Sequence, residues 1–246
     1  MSYHRSMADA PVPNSLSDLV RHGRLRDLVE ILIAYALIMM VIWSSRAAQH
    51  VLWWLAAAGV FAIICLSFDG WAAVGMRRAN LLRSLWIVGA ALALSLVAIF
   101  AAARLGTLHL PPTVLAFVGT YIAYAVWSGV QQFLLQGLFL VRFSRLIPRP
   151  WLAALTAAVL FASAHLPSTF LAPITLVWGF VACLLFLRYR NLYPLALAHA
   201  ILGITIAITV PGTVDHNMRV GLGYLTYRPH HSYHGHLPIV EPSPKQ

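Results

Sequence analysis

Apolar residues along this chain come in long unbroken runs, separated by short clusters of arginine, proline and glycine, with none of the alternation that marks a half-buried strand. A hydrocarbon core of about 30 Å takes roughly 20 helical residues to cross. Runs of about that length fall near 28–44, 51–69, 85–103, 113–141, 151–165, 170–187 and 192–210. The pattern predicts an all-α fold, a polytopic transmembrane helical bundle of about seven spans. The fifth and seventh runs are short or interrupted, as half-helices or broken helices are. The first run, from about Leu28, has no small-residue cleavage site and reads as a retained helix rather than a signal peptide. Residues 1–27 form an N-terminal tail, with Met1 to Val20 expected to be disordered. Residues 28–210 form one helical domain without internal repeats. Residues 211–246, rich in proline, glycine and histidine, are expected to form an irregular tail.

Charge gives this bundle a direction. Lys and Arg number 17 against seven Asp and Glu, an excess that in a soluble protein would suggest nucleic acid. Here the basic residues lie between apolar runs, so lipid is the expected partner and nucleic acid is not. Arg5, Arg21, Arg24, Arg26, Arg77, Arg78, Arg83, Arg142, Arg145, Arg149, Arg188 and Arg190 fall in alternate connections, while the others carry Arg46, Arg104, Arg219, Arg228 and Lys245. Cytoplasmic loops retain positive charge, which predicts a cytoplasmic N-terminus and an external C-terminus. The preference for arginine and alanine suggests a GC-rich bacterial genome, hence a bacterial inner membrane. Trp53, Trp54, Trp151 and Tyr193, near span ends, read as an interfacial belt. Cys65 and Cys183 sit inside apolar runs and read as buried structural thiols.

Polar side chains within the spans carry the candidate chemistry, because an amide in the membrane needs a partner from another helix. Tyr124, Ser128, Gln132 and Gln136 recur every four residues and share one face of the fourth run. Gln131 is adjacent, and Gly129 and Gly137 allow close approach. Counting back from Arg142 at 1.5 Å per residue puts Gln131 roughly 16 Å from the basic end. His165 and His199 lie at comparable depths in other runs, close enough to meet the glutamines. The carboxylates are Asp9, Asp18, Asp27, Glu30, Asp69, Asp215 and Glu241, so nothing acidic occurs from Gly70 to Val214.

These residues resemble the CPBP or Abi family of integral membrane proteins, which includes the type II CAAX prenyl endopeptidases and bacteriocin-processing or immunity proteins. That family has three motifs on separate helices: EExxxR, FxxxH, and HxxxN or HxxxD. Gln131-Gln132-Phe133-Leu134-Leu135-Gln136-Gly137 looks like the first, with glutamine at all three defining positions. Phe161 and His165 match the second. His199 matches the start of the third, and Gly203 stands where asparagine or aspartate belongs. Gly75-Met76-Arg77-Arg78 looks like the family's upstream connection, so the likeness runs over roughly 60–210.

The resemblance implies an intramembrane protease in which a glutamate and a histidine activate water while the other histidine and the asparagine stabilise the oxyanion. A general base must accept a proton at an accessible pKa, which an amide does not do, so Gln131 is no base. Both acids and the arginine are replaced together, which leaves no buried charge unpaired. Three readings follow. The favoured one is a pseudoprotease that holds a peptide, a lipid-linked group or a partner transmembrane helix in the former active-site cavity. The second is an active endopeptidase with a histidine base. The third is an accessory subunit that ligates a porphyrin-like or other cofactor through His165 and His199. No cofactor is firmly implied. The plain alternative for the glutamine stripe is interhelical hydrogen bonding alone, and for each histidine a satisfied structural role. In the tail, His230, His231, His234 and His236, with His216 beside Asp215, are weak candidates for Zn²⁺ or Cu²⁺; a solvated tail is the simpler reading.

Overall fold

A computed structural model describes residues 16–228, with side chains from Gly23 onward. The tail histidines His230, His231, His234 and His236 and the first fifteen residues lie outside the described residues. The described chain is all helical. Seven long helices coincide with the seven apolar runs: α1 (Leu16–Ile42), α2 (Arg46–Leu66), α3 (Leu81–Leu105), α4 (Val114–Leu146), α5 (Pro150–Ser163), α6 (Leu171–Tyr189) and α7 (Tyr193–Thr209). By length and composition α2, α3, α4 and α6 can each cross a membrane, while α5 and α7 are shorter apolar helices. Local chemistry sets the ends. Thr113 caps α4 by accepting from the Ala116 N–H at 3.1 Å, Ser168 accepts from Leu171 at 3.0 Å before α6, and Pro150 opens α5.

Contacts at the two ends of the bundle sort the connections into two sets. At one end Asn191 donates to the carbonyls of Arg77 and Ala79 at 2.9 Å, and Asn80 donates to that of Tyr189 at 3.1 Å. At the other, Thr107 donates to the Thr209 carbonyl at 3.0 Å and Gly221 donates to that of Leu166 at 2.8 Å. Arg145 near the end of α4 also bridges Asp69 after α2, so the arginine-rich connections after α2, α4 and α6 belong to one set, as an up-and-down bundle requires.

Two expectations about the flanks are corrected. Helix α1 begins at Leu16, inside the stretch expected to be disordered. Residues 212–225 are not irregular but form two short helices, α8 (Gly212–Asp215) and α9 (Gly221–Leu225). Asp215 accepts the Asn217 N–H at 2.8 Å, and the His216 ring stacks on Tyr224 at 3.9 Å. Gly221, at φ +53°, packs where a Cβ would lie 2.4 Å from the Ile42 carbonyl oxygen, so this turn needs glycine. Short-range stacking and close backbone approach order this segment, and neither shows in its composition.

Small residues let α5 and α6 approach. Ala153, Ala154, Ala157 and Ala158 are fully buried, and a Cβ on Gly179 would sit 3.2 Å from Phe161 and 3.5 Å from the Ala158 backbone. Against this pair lies the middle of α4, which winds as a π-helix over Phe133–Leu140. Such turns are rare and often mark functional positions.

Candidate functional site

Three helices converge on one chain of neutral hydrogen bonds. On α4, Ser128, Gln132 and Gln136 have no exposed surface. Gln136 Nε2 donates to Gln132 Oε1 at 3.2 Å, and Gln132 Nε2 lies 3.0 Å from His199 Nδ1 on α7. Running in one direction, the chain makes His199 Nδ1 the acceptor and leaves the proton on Nε2. The buried Cys183 thiol of α6 lies beside Gln136. Gln136 Oε1 and Trp178 Nε1 are buried with no partner among the described residues. The Trp178 ring centroid stands 6.1 Å from that of His199.

His165 joins from beyond the end of α5, which stops at Ser163. Its Nδ1 lies 2.8 Å from the Phe161 carbonyl. A carbonyl can only accept, so Nδ1 carries the proton and Nε2 keeps a free lone pair. The Phe161 ring meets both imidazoles, with centroids 4.8 Å from His165 and 6.0 Å from His199. The two histidines thus present opposite faces: His199 Nε2–H is a donor and His165 Nε2 an acceptor.

Gly203, one turn along α7 from His199, has a definite neighbour. A Cβ there would fall 1.8 Å from the Tyr124 hydroxyl and 2.6 Å from its ring. The phenol of α4 fills the space a side chain at 203 would need, so the α7 glycine and the α4 tyrosine are complementary. Gln131 stands apart, half-buried and without a hydrogen bond to any described residue. Of the positions singled out from sequence, Gln132, Gln136 and His199 are joined by hydrogen bonds. His165 and Phe161 join through their rings, Gly203 through Tyr124, and Gln131 does not join. Among the described residues no cluster of three or more His, Cys, Asp or Glu side chains could hold a metal ion.

Sequence reasoning gave no role to an ionic cluster two to three turns farther along α4. Arg142, 2% exposed, bonds Glu30 of α1 at 2.6 Å and donates to the Leu138 carbonyl at 3.2 Å. Glu30 also accepts from Ser67, and Arg145 bridges Asp27 at 3.1 Å and Asp69. The signal was available: Asp27 and Glu30 flank the start of the first apolar run and Asp69 ends the second, on the same side as these arginines.

This is a polytopic helical membrane protein whose polar site is built by α4, α5, α6 and α7. Residues 116–205 match the family described as Type II CAAX prenyl endopeptidase Rce1-like. That segment contains every motif position from Gln131 to Gly203, and the match is to the kind of protein that those motifs resemble. The match is narrower than the 60–210 read from the motifs and does not reach Gly75. That glycine has a packing role instead, since at φ +76° a Cβ would fall 2.4 Å from Phe186. The chain matches no curated protein and no solved structure.

Proposed function

We propose that the protein is a pseudoprotease of the CAAX-protease type, which holds a prenylated or otherwise membrane-bound peptide at the Gln132 and His199 site without hydrolysing it. One observation carries the reading: the site's polar groups form a neutral chain with no carboxylate in reach. Glu30, the acid bound to the same helix, is held by Arg142, roughly 15 Å farther along α4 than Gln132 at 1.5 Å per residue. General-base assistance is worth roughly 10²–10⁴ in rate, and no side chain of α4 supplies it. A donor at His199 Nε2 and an acceptor at His165 Nε2 together suit a peptide group, which offers one carbonyl and one N–H. The arginine-rich end of the bundle faces the cytoplasm in this reading, with the C-terminus outside a bacterial plasma membrane.

A second reading draws on the free lone pair of His165. With Nδ1 committed to the Phe161 carbonyl, Nε2 is available as a base, which would make the protein a slow endopeptidase. Purified wild type, His165→Ala and the triple variant Gln131→Glu, Gln132→Glu, Gln136→Arg separate the two. A fluorescent farnesylated peptide ending in a CAAX sequence serves as probe. Binding by wild type without cleavage is the expected result. Cleavage by wild type that disappears in His165→Ala overturns the pseudoprotease reading, and absence of binding overturns the peptide. Visible absorption of the same preparation tests cofactor ligation by His165 and His199, which a colourless protein excludes.

A further inference from the structure

A broad cleft lies away from the glutamine and histidine site, at the end of the bundle where α1 turns into α2. It is an open cleft of about 1050 Å³ between one face of α2 and the segment that carries α9. Arg46, His50, Trp53 and Trp54 recur along that α2 face, and Arg219 and Leu222 stand opposite. No carboxylate lines it, and neither arginine makes an ion pair with a described carboxylate.

Its polarity is graded along α2. Ser44, Ser45, Arg46 and His50 lie at the helix end, followed by the indoles and then Ala57, roughly 16 Å farther along at 1.5 Å per residue. A soluble anion would satisfy only the first part of this cleft, and an apolar molecule only the last. The far wall is a built one, because Gly221 anchors α9 against Ile42 and Arg219 stacks over Tyr227 at 5.0 Å. Arginines beside indoles at the end of a spanning helix have the arrangement that holds a phosphate at headgroup level with an acyl chain below it.

We infer that this cleft binds one anionic phospholipid, with its phosphate between Arg46 and Arg219 and its acyl chain along Trp53 and Trp54. The site does not depend on the proposed peptide binding. The full chain in phosphatidylcholine nanodiscs, doped with either dibrominated phosphatidylglycerol or dibrominated phosphatidylcholine, gives the test through bromine quenching of tryptophan emission. Brominated phosphatidylglycerol is expected to quench more at equal mole fraction. The excess should vanish in Trp53→Phe/Trp54→Phe and fall roughly fivefold with each of Arg46→Gln and Arg219→Gln, by the usual strength of one basic residue near an anionic surface. Three results overturn the proposal. Equal quenching by both lipids removes the selectivity, and loss of the excess on adding glycerol phosphate makes the ligand a soluble phosphate. Selectivity that appears only after deletion of residues 229–246 makes the chain's own tail the occupant.

Discussion

Helix α4 carries two polar clusters, and they are built on opposite principles. Around Gln132 the side chains are neutral and pass one hydrogen bond to the next. Around Arg142 they are charged and compensated by acids from α1 and the turn after α2. The fold therefore buries a charged pair where both partners are present, so the neutrality of the first cluster is not a general avoidance of buried charge. Removing one member of a buried pair leaves a stranded ion, which costs far more than the pair contributes. A polar amide left alone costs less.

That contrast orders the effects of mutation. Glu30→Ala, which strands the Arg142 guanidinium, is expected to destabilise most, by roughly 3–5 kcal/mol, measured by thermal unfolding in detergent. Glu30→Ala combined with Arg142→Met should recover much of that loss, and failure to recover would mean that the ions matter beyond their pairing. Next comes Gly203→Ala, which drives a methyl into the Tyr124 phenol and costs about 1–3 kcal/mol as overpacking. Tyr124→Ala in the same chain should relieve the clash, and a strictly additive double variant would show the two residues not to be complementary. Gln132→Ala breaks the link between His199 Nδ1 and the Gln136 amide, at roughly 1–2 kcal/mol in all. Gln131→Ala, with no described hydrogen bond to lose, should stay within about 0.5 kcal/mol. An equal loss for the two glutamines would break the distinction between joined and separate positions.

The smallest effect sharpens the comparison through a buried acid that lacks an arginine. Burial pushes the Asp215 carboxyl above its ordinary range, against the opposing pull of the Asn217 and Met218 N–H groups. A raised carboxyl makes the fold favour the protonated form. Its stabilising contribution is present at low pH and declines as pH rises through the folded value. Asp215→Asn should therefore flatten that decline just above the ordinary carboxylate range, seen as melting temperature against pH, while an unchanged profile would mean that Asp215 titrates normally.

The sequence made the number and placement of long helices legible because apolar length is set by membrane thickness, and each of the seven runs became a helix. The motif positions were legible as residue types at fixed spacing. The four-residue repeat put Gln132 and Gln136 on one face with Gln131 beside it; less legible was the π-helical segment that follows them directly. The Tyr124 and Gly203 fit was also hidden, since it joins residues on two helices whose crossing no linear pattern records. The order in 212–225 rests on one stacked histidine and one glycine, too few residues to alter a compositional reading.

The π-helical segment sets the phase of α4. A wider turn takes up more residues per revolution than the α-helix on either side, so it acts as a phase shift between the two ends of α4. Gln132 thereby meets His199 of α7 while Arg142 and Arg145 meet the acids of α1. Deleting one residue within 133–140 should rotate one of these sets out of register by roughly 100°.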